Sequence, residues 1–478
     1  MLDDARASVE RGYALHDAPS SSDPESSRAL FAEAQAQALK LIDGCEEEVG
    51  ATESPALQAL LWCLRGKAMT LGEEGRGSLE AEVLLADAVK LDPSLIDAWN
   101  CLGECFWHRN ELETARCTFV CALEHERSAD TLRLLSMLLR TMARSGHEGP
   151  ASLLAESVHL AKESVRRDAG AAKCWLGLGC AHLVSYLDVT QTAEELHLAH
   201  KALSQASRAA AAATTIDATE AAATTTAAAP TATGEGSPVR GGAPVGEVVG
   251  GGGDGGAGGR GGVVGPLLLH DPLLLHEDVD VHLNYANALC QLDEFQRAMD
   301  HLGAAMRVPG SHATGGGAAR REVWEFVSRV SEFLANRAGC RPKHLASLAA
   351  ELPVPSGAVR LLSQLTVGDN PGLTVVVKVV AALPSAGTYA SKHLRFVVVD
   401  GKEQLGCTSI YGLPKGLVQV NATLELAAPH LLQVEARHWD APGQTAGFHI
   451  LRIEEPKAQL KVNGCGVVPR SERGKAGQ

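Results

Sequence analysis

The sequence predicts a protein of two parts, an all-α solenoid of helix–turn–helix repeats followed by a small all-β barrel. Small and apolar residues recur at helical spacing through most of the chain before Pro353. After Pro353 the chain changes to short β-branched runs separated by glycine, proline and aspartate, which is typical of strands. A helix–turn–helix unit cannot bury its apolar face alone, so a series of such units predicts a continuous stack.

The segment 91–123, LDPSLIDAWNCLGECFWHRNELETARCTFVCAL, carries the clearest repeat. Its residues Trp99, Gly103, Ala115 and Phe119 have the spacing of a tetratricopeptide repeat, a helix pair of about 34 residues. Gly103 and Ala115 are small where the two antiparallel helices cross. Trp99 and Phe119 fill the space beside that crossing, so the segment predicts close helix packing.

Four further repeats follow the same pattern less closely. Together with the segment above they predict about five repeats, and residues 321–337 predict a capping helix that covers the last apolar face. The inter-helix turn of the first repeat is longer than usual by about three residues. The residues that mark these four repeats are, in chain order, Gly66, Ser136, Gly179 and Ala286.

The barrel is predicted from five runs in roughly 110 residues without intervening helices. The runs are LTVVVKVVAAL, HLRFVVVD, LVQVNATLEL, HLLQVEARHWD and GFHILRIEE. A five-stranded OB-type barrel fits this count, while an SH3-like barrel and a β-sandwich remain alternatives.

A segment rich in alanine, threonine and glycine interrupts the repeats. It has almost nothing to bury, so it cannot offset its ordering entropy and we predict disorder. No GK[ST] motif follows its glycines and no strand precedes them, which disfavours a phosphate-binding loop. The expected organisation is an N-terminal helical segment at 1–54, the first four repeats at 55–208, the disordered insertion at 209–266, the last repeat and capping helix at 267–340, the OB-type barrel at 353–465, and a disordered tail at 466–478.

Composition excludes several classes of protein. The net charge of −14 disfavours a protein that holds nucleic acid through its overall field. No apolar run approaches the length of a membrane span, and the acidic N-terminus does not have the pattern of a signal peptide. The 12 cysteines lie mostly at small helix positions, which favours a reducing compartment, the cytoplasm or the nucleus.

No catalytic or metal-binding motif is evident. Four cysteines have i, i+4 spacing, but they occupy small packing positions, so we predict no metal, no cofactor and no enzymatic activity. The aromatic residues of the barrel are candidates for base stacking, although core packing is the commoner role. We therefore expect the barrel to contact protein, and the family resemblance given below adds the ribosome; DNA binding is the second alternative. The cysteines are Cys101, Cys105, Cys117 and Cys121, the aromatic residues are Phe396, Tyr411, Trp439 and Phe448, and the basic residues that would accompany them are Lys378, Lys392, Arg395 and Arg437.

The chain resembles the tetratricopeptide repeat protein 5 family, also called the Strap family. The resemblance lies in AEVLLADAVKLDPSLIDAWNCLGECFW, LRLLSMLLR, CWLGLGCAHLVSY, DVHLNYANAL and the run that ends in RIEEPKAQLKVNG. It implies repeats followed by an OB fold. It also implies a non-enzymatic cytoplasmic adaptor of tubulin autoregulation, which binds the nascent tubulin N-terminus Met-Arg-Glu-Ile or Met-Arg-Glu-Cys at the ribosome. Decay of tubulin mRNA then follows through an adaptor and a deadenylase complex. The alternative that the family implies is a nuclear, stress-responsive transcriptional cofactor scaffold.

The resemblance also implies site residues. The family motif LSMVLR matches LSMLLR and places the groove arginine at Arg140, and PDLHLNRA matches VDVHLNYA and places the peptide-binding acid at Asp280. Lys90 matches a lysine associated with ribosome contact. Tyr285 stands where relatives carry arginine, which leaves the charge of the groove in question. The second repeat is expected to line the groove with Asn100, Glu104, Trp107 and His108.

Overall fold

The computed structural model describes residues 1–17, 24–49, 54–71, 75, 77–227, 277–307, 316–383 and 391–468. Its helical part contains six antiparallel helix pairs within these residues, followed by a single helix and a short one. The pairs are α1 (Leu2–Asp17) with α2 (Pro24–Val49), α3 (Pro55–Met69) with α4 (Leu79–Leu91), α5 (Ile96–His108) with α6 (Leu112–His125), α7 (Ala129–Arg144) with α8 (Pro150–Arg167), α9 (Ala172–Ser185) with α10 (Ala193–Ala227), and α11 (Glu277–Gln291) with α12 (Phe295–Arg307); α13 (Gly316–Ala335) and α14 (Pro342–Ala350) follow.

Small residues set the crossing of each pair, as the sequence predicts. A Cβ atom on Gly103 would lie 2.6 Å from Cε1 of Phe119, and one on Gly179 would lie 2.5 Å from Cγ of Leu203. In the third repeat Ser136 takes this position, and its hydroxyl donates to the carbonyl of Ser157 at 2.9 Å. The crossing therefore tolerates glycine or a side chain that bonds across it, but not a larger apolar one.

Trp99 and Trp175, each near the start of the first helix of a repeat, also form a hydrogen bond to the preceding loop. The Trp99 indole nitrogen donates to the carbonyl of Pro93 at 3.0 Å, and Trp175 donates in the same way to Ala169 at 2.9 Å. Both bonds link the first helix of a repeat to the loop that precedes it. The tryptophan at this position thus fixes the entry of the chain into the repeat.

Two helical regions differ from the expected organisation. The N-terminal segment is itself a helix pair that packs on the first repeat through Ile42, Leu61 and Leu64. Helix α10 continues to Ala227, past residue 209 where disorder was expected to begin, because an alanine-rich sequence has high helix propensity. Residues 228–266 of the expected insertion, and 469–478 of the expected tail, lie outside the described residues.

The C-terminal part is a curled sheet with the strand order of an OB-type barrel. The strands are β1 (Val359–Arg360), β2 (Gly368–Asp369), β3 (Thr374–Ala382), β4 (Leu394–Val399), β5 (Leu405–Ile410), β6 (Thr423–Ala427), β7 (His430–Arg437), β8 (Thr445–Ile453), β9 (Leu460–Val462) and β10 (Cys465–Gly466), with α15 (Pro456–Gln459) before β9. The order β6-β3-β4-β5-β8-β7 brings β6 and β7 to opposite ends of the path. These two strands are consecutive in the chain and separated by a bend at Ala428, which has a φ of 44°. They act as one bent strand that closes the barrel, with β5 and β8 parallel. The predicted fold class is confirmed.

Two of the strand predictions need correction. Strand β5, with the sequence LGCTSI, was not among the five predicted runs, because glycine, cysteine and serine carry little strand signal. The predicted run LVQVNATLEL forms a strand only from Thr423 onward, since Asn421 before it has a φ of 69°. Residue Asn421 therefore belongs to a turn rather than to the strand.

The solenoid and the barrel share one continuous apolar core. The outer face of β4, β5, β7 and β8 contributes Val397, Val399, Cys407 and Ile450 to the same cluster as the residues of α11, α12 and α13. The barrel interior is a separate cluster around Val377. Among the described residues, no helix is long and apolar enough to cross a membrane.

Candidate peptide-binding groove

The first helices of successive repeats adjoin one another along the solenoid. Helix α3 contacts α5, α5 contacts α7, α7 contacts α9, and α9 contacts α11. Stacked repeats of this kind form extended concave surfaces. We call the face that these five helices present the inner groove.

Charged residues occupy one repeated position in the inner groove, six residues before the small crossing residue. Three of these four residues take part in two ion pairs between neighbouring helices. The Lys67 ammonium lies 3.4 Å from the Asp97 carboxylate, and the Lys173 ammonium lies 2.8 Å from the Asp130 carboxylate. The residues at the repeated position are Asp97, Asp130, Lys173 and Asp280.

Asp130 is neutralised within the protein. Arg133 of the same helix lies 3.4 Å from its carboxylate, in addition to Lys173. Burial raises the pKa of Asp130, but the two cations outweigh that effect and hold the pKa below its ordinary value. The sequence reasoning did not identify these three residues, although their distance from Ser136 and Gly179 would have indicated them.

Arg140 lies on α7, one turn after the crossing residue, and it is partly exposed. Its Nη1 donates to the Ser136 hydroxyl at 3.1 Å and to the Gly177 carbonyl of α9 at 3.3 Å. Neither bond uses Nε or Nη2. No carboxylate of the described residues forms an ion pair with Arg140, and burial lowers the pKa of its guanidinium. The side chain is therefore held in place without being neutralised.

Asp280 is partly exposed at the start of α11, and α11 contacts α9, the helix that carries Cys180. Burial raises the pKa of the Cys180 thiol to about 11, while the charge of Arg140 lowers it and that of Asp280 raises it. The charges of Arg140 and Asp280 thus shift the pKa of the same thiol in opposite directions. Arg140 bonds to α9, and α9 contacts α11, which carries Asp280; the role of both residues in peptide binding stays a prediction.

Cys180 also distinguishes this end of the groove from the other. It follows Gly179 directly, as Lys67 follows Gly66 in the first repeat. Lys67 pairs with the acid Asp97 of the next repeat, but a neutral thiol cannot form that ion pair with Asp280. The position that holds a lysine in the first repeat therefore holds a neutral thiol in the fourth, so the two ends of the groove differ in chemistry.

The structure places two of the four expected second-repeat residues in the core. Trp107 is buried among residues of α6 and α7, because its side chain fills the space beside the crossing. Asn100 is also buried, and its Oδ1 accepts a bond from the Thr131 hydroxyl at 2.8 Å. Glu104 and His108 are partly exposed, and their place in the groove stays a prediction.

Tyr13 of α1 lies beside Lys67, whose ammonium is 5.8 Å from the centroid of the tyrosine ring, and the sequence reasoning missed this position. Its hydroxyl lies 2.7 Å from the Thr70 hydroxyl. Burial raises the pKa of Tyr13 well above its ordinary value, and Cys101 and Glu104 add to that effect. A lone tyrosine on an amphipathic helix gives no sequence signal for such a position.

Tyr285 does not alter the charge of the groove. It is buried on the opposite side of α11, where the Arg297 guanidinium donates to its hydroxyl at 2.9 Å and His200 lies 3.2 Å from it. Lys90 is exposed at the end of α4, where it forms an ion pair with Asp87 at 2.9 Å. It lies on the second helix of its repeat, away from the inner groove.

The barrel offers no stacking surface among the aromatic candidates. Phe396 lies in the barrel interior, and Tyr411 and Phe448 are buried against the solenoid. The Trp439 ring already contacts the Arg320 guanidinium at 4.9 Å and the stacked His438 ring at 4.3 Å.

Two of the basic residues expected beside these aromatics are also engaged. Arg395 forms a buried pair with Asp293, and Lys378 pairs with Glu351. Lys392 and Arg437 are exposed. The face of strands that OB folds commonly use for oligonucleotides is covered by α11–α13.

The cysteines of the second repeat differ in their surroundings. Cys101 and Cys105 are buried, Cys121 is partly buried and Cys117 is exposed. Within the described ranges, no three His, Cys, Asp or Glu side chains come together as a metal site. The i, i+4 spacing therefore does not bring these thiols into one cluster.

Comparison with known proteins gives the same relatives that the sequence resembles. The chain is 25% identical over 460 residues to tetratricopeptide repeat protein 5 of Mus musculus, covering 90% of this chain and 85% of that protein. It is 34% identical over 174 residues to tetratricopeptide repeat protein 5 of Homo sapiens, covering 36% of this chain and 38% of that protein. The match to the Bos taurus protein is 34% over 169 residues, covering 35% and 37%. No family model matches the chain.

Solved structures add little to this comparison. YrrB, described as a TPR protein with an unusual peptide-binding site, covers 58% of this chain at 12% identity with a TM-score of 0.30, and 96% of that chain is covered. That likeness is too low to support an argument. The sequence matches and the packing identify a protein of tetratricopeptide repeats that is similar to tetratricopeptide repeat protein 5.

Proposed function

We propose that this protein is a non-enzymatic adaptor whose inner groove binds the nascent tubulin N-terminus, Met-Arg-Glu-Ile or Met-Arg-Glu-Cys. One observation carries the proposal. Arg140 on α7 donates to the Gly177 carbonyl of α9, and α9 also contacts α11, the helix that carries Asp280, so opposite charges lie on helices that adjoin the same part of the groove. The resemblance to tetratricopeptide repeat protein 5 supports the same residues.

The chemistry of the two charges matches the peptide. The glutamate of the peptide pairs with Arg140, whose Nε and Nη2 are not used by Ser136 or Gly177. The peptide arginine pairs with Asp280. Hydrogen bonds to charged groups contribute about 1.5–3 kcal/mol, so each pair suffices for selective binding.

The remaining surfaces fit an adaptor at the ribosome. Lys90 is exposed on the outer helix layer, apart from the groove, and so remains accessible while a peptide is bound. We assign it the ribosome contact, in the cytoplasm. Binding of the nascent chain then leads to tubulin mRNA decay through an adaptor and a deadenylase complex.

The alternative function, a nuclear transcriptional cofactor scaffold, would use the same groove for protein partners. Direct DNA binding through the barrel is disfavoured, because the aromatic candidates Phe396, Tyr411 and Phe448 are buried. The two functions therefore differ in the peptide that the groove selects.

The test is fluorescence anisotropy of a labelled peptide that begins Met-Arg-Glu-Ile, compared with a peptide in which Arg and Glu are exchanged. Tighter binding of the first peptide is expected, with the preference lost in Arg140→Met and Asp280→Ala. Matched controls are Arg144→Met, which lies one turn further along α7, and Asp97→Ala, which occupies the position of Asp280 in the second repeat. Equal binding of both peptides by the unmodified protein would contradict the proposal.

A further inference from the structure

Helix α11 is connected to the solenoid differently from the other inner helices. The loops that lead into α5, α7 and α9 span residues 92–95, 126–128 and 168–171. Residues 228–276 separate α10 from α11, so a short loop does not fix where α11 begins. Its position must therefore depend on contacts at its other end and along its length.

Barrel residues satisfy the carbonyls at the C-terminal end of α11. The Tyr411 hydroxyl donates to the carbonyl of Gln291 at 2.7 Å, and the Arg395 guanidinium donates to that of Cys290 at 3.0 Å. Arg452 donates to the carbonyl of Leu292. Terminal carbonyls have no partner inside their own helix, and cations at this end interact favourably with the helix dipole.

A buried ion pair fixes the same contact. Arg395 Nε donates to the Asp293 carboxylate at 2.8 Å, and both side chains are almost fully buried. The guanidinium also lies over the rings of Phe295 and Phe326, at 5.3 and 5.2 Å from their centroids. His393 stacks on Tyr411 in the same cluster at 4.3 Å. The end of α11 is thus enclosed by the barrel.

We infer that the barrel is the positioning element of the peptide site, because it holds α11 and thereby sets the place of Asp280 in the inner groove. Tyr411, Arg395 and Asp293 are positioning residues, acting through the helix on its far end. Arg140 lies on α7 and receives no such support. The predicted effect on peptide binding rests on the proposed function. The contact by which the barrel holds α11 does not depend on that function.

The experiment uses the full-length protein with Tyr411→Phe, which removes one hydrogen bond to α11 and keeps the ring. Tyr186→Phe is the matched control, because its hydroxyl lies in the same interface but bonds to His393 instead of a carbonyl of α11. Hydrogen exchange of amides 279–291 is measured first without peptide. Affinities are then measured for peptides beginning Met-Arg-Glu, Met-Ala-Glu and Met-Arg-Ala.

Tyr411→Phe is expected to accelerate exchange in α11 and to reduce the preference for arginine over alanine by about tenfold. The preference for glutamate, which depends on Arg140, is expected to stay unchanged, as are both quantities in Tyr186→Phe. Unchanged exchange in Tyr411→Phe, or an equal fall in both preferences, overturns the inference. If the unmodified protein does not distinguish the peptides, the proposed function fails. The hydrogen-exchange rates of α11 in Tyr411→Phe then decide by themselves whether the barrel holds this helix.

Discussion

The second and fifth repeats share one helix–turn–helix pattern and differ in what lies beyond the turn. In both turns a residue has left-handed backbone, Asn110 with a φ of 62° and Asp293 with a φ of 61°. The next amide donates back to the first helix in each case, from Glu111 to Phe106 and from Glu294 to Leu289, both at 2.9 Å. Asn110 is exposed, whereas Asp293 is 1% exposed and paired with Arg395.

The same two repeats differ in the groove. Asp97 of the second repeat forms an ion pair with Lys67, while the residue that corresponds to Lys67 in the repeat before Asp280 is the neutral Cys180. In the fifth repeat the barrel bonds to the C-terminal end of α11, and Asp280 lies near the other end of that helix. Under the proposed function, one repeat pattern thus serves packing in the second repeat and peptide recognition in the fifth.

The largest difference in the free energy of unfolding is expected between variants of the two turns. Asp293→Asn keeps a residue suited to left-handed backbone but leaves the buried Arg395 without its carboxylate, so it is expected to destabilise the protein by about 3–5 kcal/mol. Asn110→Asp, in the exposed turn, is expected to change stability by less than about 0.5 kcal/mol. Urea unfolding of both variants measures the difference. Similar losses in the two would contradict the role given to the buried pair.

The surroundings of the Asp293 turn are also expected to make the stability of the protein depend on pH. Burial lowers the pKa of His393, which faces Asp293, Arg395 and Arg452, to about 4. Because the folded-state pKa lies below the ordinary value near 6.5, the unfolded chain binds more protons between these values, and stability falls as the pH falls from about 6.5 to about 4. The loss between pH 7 and pH 5 is about 2 kcal/mol. Urea midpoints are expected to fall less in His393→Gln; an equal fall would exclude this histidine as the source.

Substitutions at the helix crossings of the two repeats are expected to differ less in their effect on stability. A Cβ at Gly103 would lie 2.6 Å from the ring of Phe119, which is fully buried, so Gly103→Ala is expected to cost about 1–3 kcal/mol despite the higher helix propensity of alanine. Ala286→Gly in the fifth repeat should cost about 1 kcal/mol, from propensity alone. Thermal unfolding compares the two. A stabilising Gly103→Ala would show that the second repeat is packed more loosely than described.

The difference between the two ends of the groove is tested with Cys180→Lys. This variant places a lysine at the position next to Asp280 that Lys67 occupies next to Asp97. The new cation competes with the peptide arginine, so affinity for Met-Arg-Glu-Ile is expected to fall by about tenfold with little change in stability. Anisotropy with Cys180→Ala as the control separates the charge from the loss of the thiol. Retained affinity in the lysine variant would argue that the peptide does not use Asp280.

The smallest effect on stability is expected outside both repeats. Lys90→Ala removes an exposed side chain whose ion pair with Asp87 is worth little, so the free energy of unfolding should change by less than about 0.5 kcal/mol. Cosedimentation with ribosomes is nevertheless expected to decrease, relative to Lys402→Ala on the barrel surface. Undiminished cosedimentation would remove Lys90 from the proposed ribosome contact.

Much of the architecture was predictable because packing at a helix crossing restricts residue size at fixed spacing. Gly103, Ser136 and Gly179 carry that restriction in the sequence, and the structure places all three at crossings. Trp107 was misplaced because helical periodicity alone does not separate a groove position from a core position one turn away. The docking of the barrel was not predictable, since Asp293 and Arg395 are distant in sequence and each has the appearance of a surface residue.

The most direct test of the recognition mechanism is a charge reversal in the protein matched by one in the peptide. Arg140→Glu would be titrated with peptides beginning Met-Arg-Glu-Ile and Met-Arg-Lys-Ile, and compared with the unmodified protein. If Arg140 binds the third residue of the peptide, the unmodified protein prefers glutamate and the variant prefers lysine, with Asp280 still required for both. The same preference in both proteins would contradict the claim that the groove recognises the peptide through this pair of charges.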